Sequence, residues 1–215
     1  MNKTIRQVGL ASTAALMLVL SPALPVKAAA ITGLFATGVD GAGAALGDGA
    51  TDTHYAIVSP AQQGVVINQT SIPFQWVPNS ATSRWIWQDA IGTPINVTRA
   101  FQMTFDLAGL DATTALIAGQ WAADNTGLDI LINGNSTSNS CGGFSVLCNF
   151  NIASGFVAGI NTLEFQVQDV GGIAGFLVSS ISGSADAIPV PEPGMIAIFG
   201  LGLIGLGLAR RRRAS

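Results

Sequence analysis

Basic charge is almost absent from the middle of this 215-residue chain. Between positions 31 and 188 only Arg84 and Arg99 are basic, against eleven Asp and Glu, a net charge of −9. Binding to phosphate backbones needs clustered Lys and Arg, so nucleic acid is excluded as a partner. Histidine occurs once, as His54 in a Gly/Asp-rich stretch. A Ser-His-Asp triad would have to use it, and the chain has no Gly-x-Ser-x-Gly elbow. One histidine and two cysteines leave zinc short of ligands. Glycoside hydrolysis needs two converging carboxylates. Here Glu164 falls on the outward face of a strand pattern, and the aspartates sit mostly in turn-like stretches, where local hydrogen bonding accounts for them. The chain is therefore expected not to be an enzyme, with no catalytic residue, no metal centre and no cofactor.

Long apolar runs are confined to the two ends. At the N-terminus Lys3 and Arg6 precede an apolar core over residues 8–20, and Ala28-Ala29-Ala30 offers a small-residue cleavage site. This is the pattern of a secretory signal over residues 1–30, which brings in the Sec export machinery and places the mature start at Ile31. At the other end, residues 195–209 carry no charge, and Arg210, Arg211, Arg212 and Arg213 follow directly. As a helix the uncharged stretch spans roughly 22 Å at about 1.5 Å per residue. A hydrocarbon core is about 30 Å thick, so the expected transmembrane helix is short and relies on its arginines to snorkel to the headgroups. Four guanidinium groups resist translocation, which orients the arginines to the cytoplasm and the preceding domain to the outside. Just before the helix, Pro191 and Pro193 hold Val190-Pro191-Glu192-Pro193-Gly194 extended, a shape that suits the cleft of a processing enzyme.

Proline motif, short Gly/Leu-rich span and terminal arginines, in that order over residues 188–215, resemble the PEP-CTERM sorting signal of Gram-negative bacteria. The resemblance implies recognition and removal of the tail by an exosortase, a membrane-embedded enzyme. It also implies a precursor anchored in the inner membrane and a product at the cell surface or in the extracellular matrix, in a biofilm or exopolysaccharide setting. A Gly-x-Gly-x-x-Gly pattern at residues 200–205 lies inside this apolar segment and has no nucleotide meaning there.

Residues 31–187 read as all-β. Residues 31–55 are expected to be loop because of Gly41, Gly43, Gly47 and Gly49. Residues 64–68 form a short β-branched run, and Phe74 and Trp76 are expected on one face, as are Trp85 and Trp87. Alternation is clearest over residues 95–107, then 114–122, 130–132, 161–169 and 175–181. Residues 124–127 are expected to turn, Asn133-Gly134 to close a hairpin, and Gly171-Gly172 to reverse the chain. About eight strands without helical periodicity indicate one β-sandwich or jelly roll. Cys141 and Cys148 are expected to pair in an exported protein and staple the polar excursion at 135–143.

For ligands, Trp85 and Trp87 offer rings that stack on sugars if exposed, and core packing is the alternative. Asp40, Asp48 and Asp52 offer oxygens to Ca²⁺ without EF-hand spacing, and turn formation is the alternative. The stretches WAADNTGLDILING (121–134) and GFVAGINTLEF (155–165) resemble galactose-binding-like jelly rolls. That resemblance implies a sandwich carrying a sugar or a structural Ca²⁺ but carries over no ligand residue; Asp124 and Asn125 are added as ligand candidates from this sequence itself.

Overall fold

The computed structural model describes residues 27–189 and 195–213. Its strands are β1 (Ala28–Ala30), β2 (Thr51–Ile57), β3 (Gln62–Val66), β4 (Ile86–Trp87), β5 (Thr98–Asp106), β6 (Leu116–Asp124), β7 (Thr126–Ile132), β8 (Asn135–Ser136), β9 (Cys148–Ile152), β10 (Ile160–Gln168) and β11 (Gly175–Asp186). One helix, α1 (Met195–Arg213), follows. The strands form one large antiparallel sheet in the order β8-β7-β10-β5-β2-β3-β4-β11-β6-β9, with β1 paired to β11.

Alternation built the long strands as expected. In β10, Asn161, Leu163, Phe165 and Val167 are buried while the residues between them face outward. In β5, Phe101, Met103 and Phe105 do the same. The sheet curls so that its two halves face each other. Phe176 of β11 meets Phe101 of β5 at 4.7 Å between ring centroids and Phe165 of β10 at 5.1 Å. Trp121 of β6 meets Phe165 at 5.4 Å. Each fully buried ring contributes on the order of 2–3 kcal/mol by leaving water, so this cluster is the main apolar reason the halves stay closed. Gly127 lets Trp121 lie flat against β7, because a Cβ there would come within 2.3 Å of the indole.

Several local expectations needed correction, and each correction has a physical cause. Residues 51–55, expected as loop, belong to β2, because Asp52, Tyr55 and Ile57 point inward. Phe74 and Trp76 do not share a strand face. They lie in a turn in which the Trp76 N–H donates to Pro73 O at 3.1 Å, leaving Phe74 94% exposed and Trp76 buried. The chain does bend at Asn125 and at Gly171-Gly172, where turns are expected, but neither bend joins two strands paired with each other. The chain passes at Asn125 from β6, paired with β11, to β7, paired with β10. At Gly171-Gly172 it passes back from β10 to β11. These crossings weld the two halves, which period-two alternation cannot reveal. Asn133 and Gly134, both with positive φ (51° and 79°), do close the β7–β8 hairpin.

Candidate functional site

β11 delivers the chain to its C-terminal tail, and hydrogen bonds mark where the folded domain ends. The Ala187 N–H donates to Lys27 O at 3.3 Å, and the Ile188 N–H donates to Gly109 O at 2.9 Å. Helix α1 begins at Met195. The segment 189–194 lies between, and a fully extended chain of that length reaches roughly 20 Å. Gly and Leu alternate through α1, whose Phe199, Leu201 and Ile204 side chains are exposed and unpacked against the domain. Arg210, Arg211 and Arg212 are exposed near its C-terminal end, where cations complement the helix dipole.

Residues 189–213 match the PEP-CTERM protein-sorting motif. The match covers the tail alone, and no curated protein matches the chain. A PEP-CTERM motif implies an exported protein, anchored in the membrane before an exosortase processes it. Val190, Pro191, Glu192, Pro193 and Gly194, the residues expected to be read by that enzyme, lie outside the described residues. Residues 1–26 of the expected signal peptide lie outside them too. The expectation of a C-terminal transmembrane helix is corrected. Among the described residues no helix is long and apolar enough to cross a membrane. The nineteen residues of α1 include Arg210 to Arg213, so the uncharged part falls short of a hydrocarbon core.

The residues offered to a ligand are scattered and mostly engaged. Trp85 and Trp87 are fully buried and present no ring face to solvent. Their strand is sealed on both sides, since Ile86 pairs with Val66 of β3 and Phe176 of β11. Trp85 Nε1 donates to Val77 O at 2.8 Å and Trp87 Nε1 to Pro94 O at 3.1 Å, so both polar handles are spent inside. Asp48 pairs with Arg84 at 2.5 Å and accepts the Gln69 N–H. Asp40 accepts the N–H groups of Ala42 and Ala44, in the manner of a turn former. Asp52 is buried and accepts N–H groups from Gly38 at 2.7 Å and His54 at 2.8 Å. Burial pushes its carboxyl up, and those two bonds oppose the shift. Burial, and secondarily the Asp52 charge, hold the Tyr55 phenol well above its ordinary range. The His54 ring stacks on Phe35 at 3.7 Å, a packed rather than a presented position. Cys141 and Cys148 form a disulfide, which ties the 141–148 excursion beside β6.

Asp124 is the exception. It and Asp169 are buried, 5% and 2% exposed, and each leaves one oxygen, Oδ1, without a hydrogen-bond partner. Asp169 Oδ2 accepts the Asn96 N–H at 2.5 Å and the Gly171 N–H at 3.2 Å. Burial raises the Asp124 carboxyl to about 7, and the Asp169 charge adds to the rise. Asn125 is committed to the scaffold, its Oδ1 accepting the Val170 N–H at 2.7 Å. The sequence did not single out Asp169. The one sign was its place as the first acidic residue after an alternating strand, just before Gly171-Gly172. Among the described residues, no group of three or more His, Cys, Asp or Glu is placed to hold a metal ion.

Proposed function

We propose that this chain is the precursor of a non-enzymatic structural or adhesive protein of the cell surface or extracellular matrix of a Gram-negative bacterium. Its β-domain is the cargo, and the tail beyond Ile188 is consumed in delivery. Support comes from the position of the sorting motif. It lies over residues 189–213, directly after Ile188, the last residue among those described that is hydrogen-bonded to the domain. The tail that carries α1 holds the precursor at the membrane until it is processed. The cargo is a galactose-binding-like sandwich, on the strength of the two sequence stretches and the facing sheet halves. Its matrix role takes place in a biofilm or exopolysaccharide setting. The alternative, a carbohydrate-binding module, draws no support from Trp85 and Trp87, whose rings are buried.

Replacing Pro191, Glu192 and Pro193 with alanine, in a host with an exosortase, should leave a full-length membrane-bound form. Unchanged processing would reject the sorting role. A glycan array probed with the processed protein, with and without Ca²⁺, separates matrix from lectin. Absence of binding supports the structural role, and saturable binding supports the module.

A further inference from the structure

Residues 28–30 are written as the end of a leader, yet the fold uses them as a strand. β1 pairs antiparallel with β11 in the register Ala28↔Asp186, Ala29↔Ala185 and Ala30↔Ser184. The pairing continues on both sides of that register. The Ile31 N–H donates to Gly183 O at 2.9 Å, and the Ala187 N–H donates to Lys27 O at 3.3 Å. Hydrogen-bonded pairs alternate along an antiparallel ladder, so Ala29 and Ala185 form such a pair between those two. β6 accompanies β11 only as far as Ser184, so beyond that point β1 is the strand neighbour of Ala185 and Asp186.

A cut after Ala30 would remove this ladder. It would uncover Ala185, which is 2% exposed, and put a charged ammonium on Ile31, which is 6% exposed. Burying a charge without full compensation is unfavourable. It would also release Ala187 from Lys27, loosening the residue next to the point where the sorting tail leaves the domain. A second small-x-small sequence stands upstream. Ser21-Pro22-Ala23 follows directly on the apolar run that ends at Leu20, where a signal peptidase site belongs.

We infer that signal peptidase cuts after Ala23, and that the mature protein keeps Ala28–Ala30 as its first strand, clamping the base of the sorting tail. The bond hydrolysed is the Ala23–Leu24 peptide, with water supplying the new carboxylate and ammonium. Leu24-Pro25-Val26-Lys27 then lead into β1.

The test is to export the full chain in a Gram-negative host and read the N-terminus of the processed protein by mass spectrometry. An N-terminus at Leu24 supports the inference, and any other N-terminus overturns it. Ala23→Arg should abolish normal processing, whereas Ala30→Gln should leave the mature N-terminus where it was; the reverse pattern overturns the assignment. Ala29→Pro gives a readout on the folded protein. It removes a ladder donor, so the Tm of the processed protein should fall by roughly 3–8 °C. An unchanged Tm would show that the strand is not part of the mature domain.

Discussion

Replacing Asp169 with asparagine should stabilise the domain, although it alters a buried residue with two good hydrogen bonds. The Asn96 and Gly171 N–H groups both bond to Asp169 Oδ2, and an amide oxygen in that place keeps both. The partnerless Oδ1 becomes an NH₂ donor, and the charge that faces Asp124 is lost. The Asp124 carboxyl stands at about 7 against an ordinary 3.8. That gap corresponds to a ceiling of about 4 kcal/mol between its protonated and charged forms. Burial is the larger cause and Asp169 the smaller, so relief of repulsion gains about 1–2 kcal/mol once Asp124 is ionised. In a domain of this size that is a Tm increase of about 3–6 °C.

The sign follows from linkage. A carboxyl raised in the folded state favours folding below its unfolded value near 4, and that advantage is lost as pH rises through about 7. The Asp169→Asn gain should therefore be small at pH 5 and full at pH 8. Differential scanning calorimetry of both proteins at the two pH values, in EDTA, reads the effect. A variant less stable than the parent at pH 8, or a gain equal at both pH values, would refute the reasoning. Stabilisation of the parent but not the variant by Ca²⁺ would instead mean that a cation neutralises the pair.

Four further outcomes are expected. Asp124→Asn should also flatten the stability profile between pH 5 and pH 8, since it removes the group that titrates near 7; a slope as steep as the parent's in urea denaturation would contradict this. Converting Cys141 and Cys148 together to serine should cost roughly 2–3 kcal/mol, as expected for so short a loop, and reduction of the parent by dithiothreitol should reproduce the loss. Phe176→Ala should cost about 3–5 kcal/mol by opening a cavity among Phe101, Phe165 and Tyr55. Gly127→Ala should be comparably harmful although it adds only a methyl, because the methyl meets the Trp121 ring.

The long strands were legible because their chemistry is local. Phe101, Met103 and Phe105 alternate with polar neighbours whatever the rest of the chain does. So was the Asn133-Gly134 hairpin, where two adjacent residues accept positive φ. The tail was legible for the same reason, since its order of prolines, apolar stretch and arginines needs no tertiary contact. What stayed hidden depends on distant partners. Whether Trp85 and Trp87 are exposed or packed is open in the sequence until Val66 and Phe176 close on Ile86 from both sides. Asn125 reads as a plain turn until β6 and β7 are seen to pair with different strands. Asp124 acquires its raised carboxyl from burial first and from Asp169, far along the chain, second. Short apolar stretches such as Ala28–Ala30 carry too little pattern to separate a leader from a strand.

Ile188 is fastened to Gly109, and Ala187 to Lys27. A cut anywhere in the tail beyond Ile188 leaves both hydrogen bonds in place, so the severed domain keeps its last strand whole.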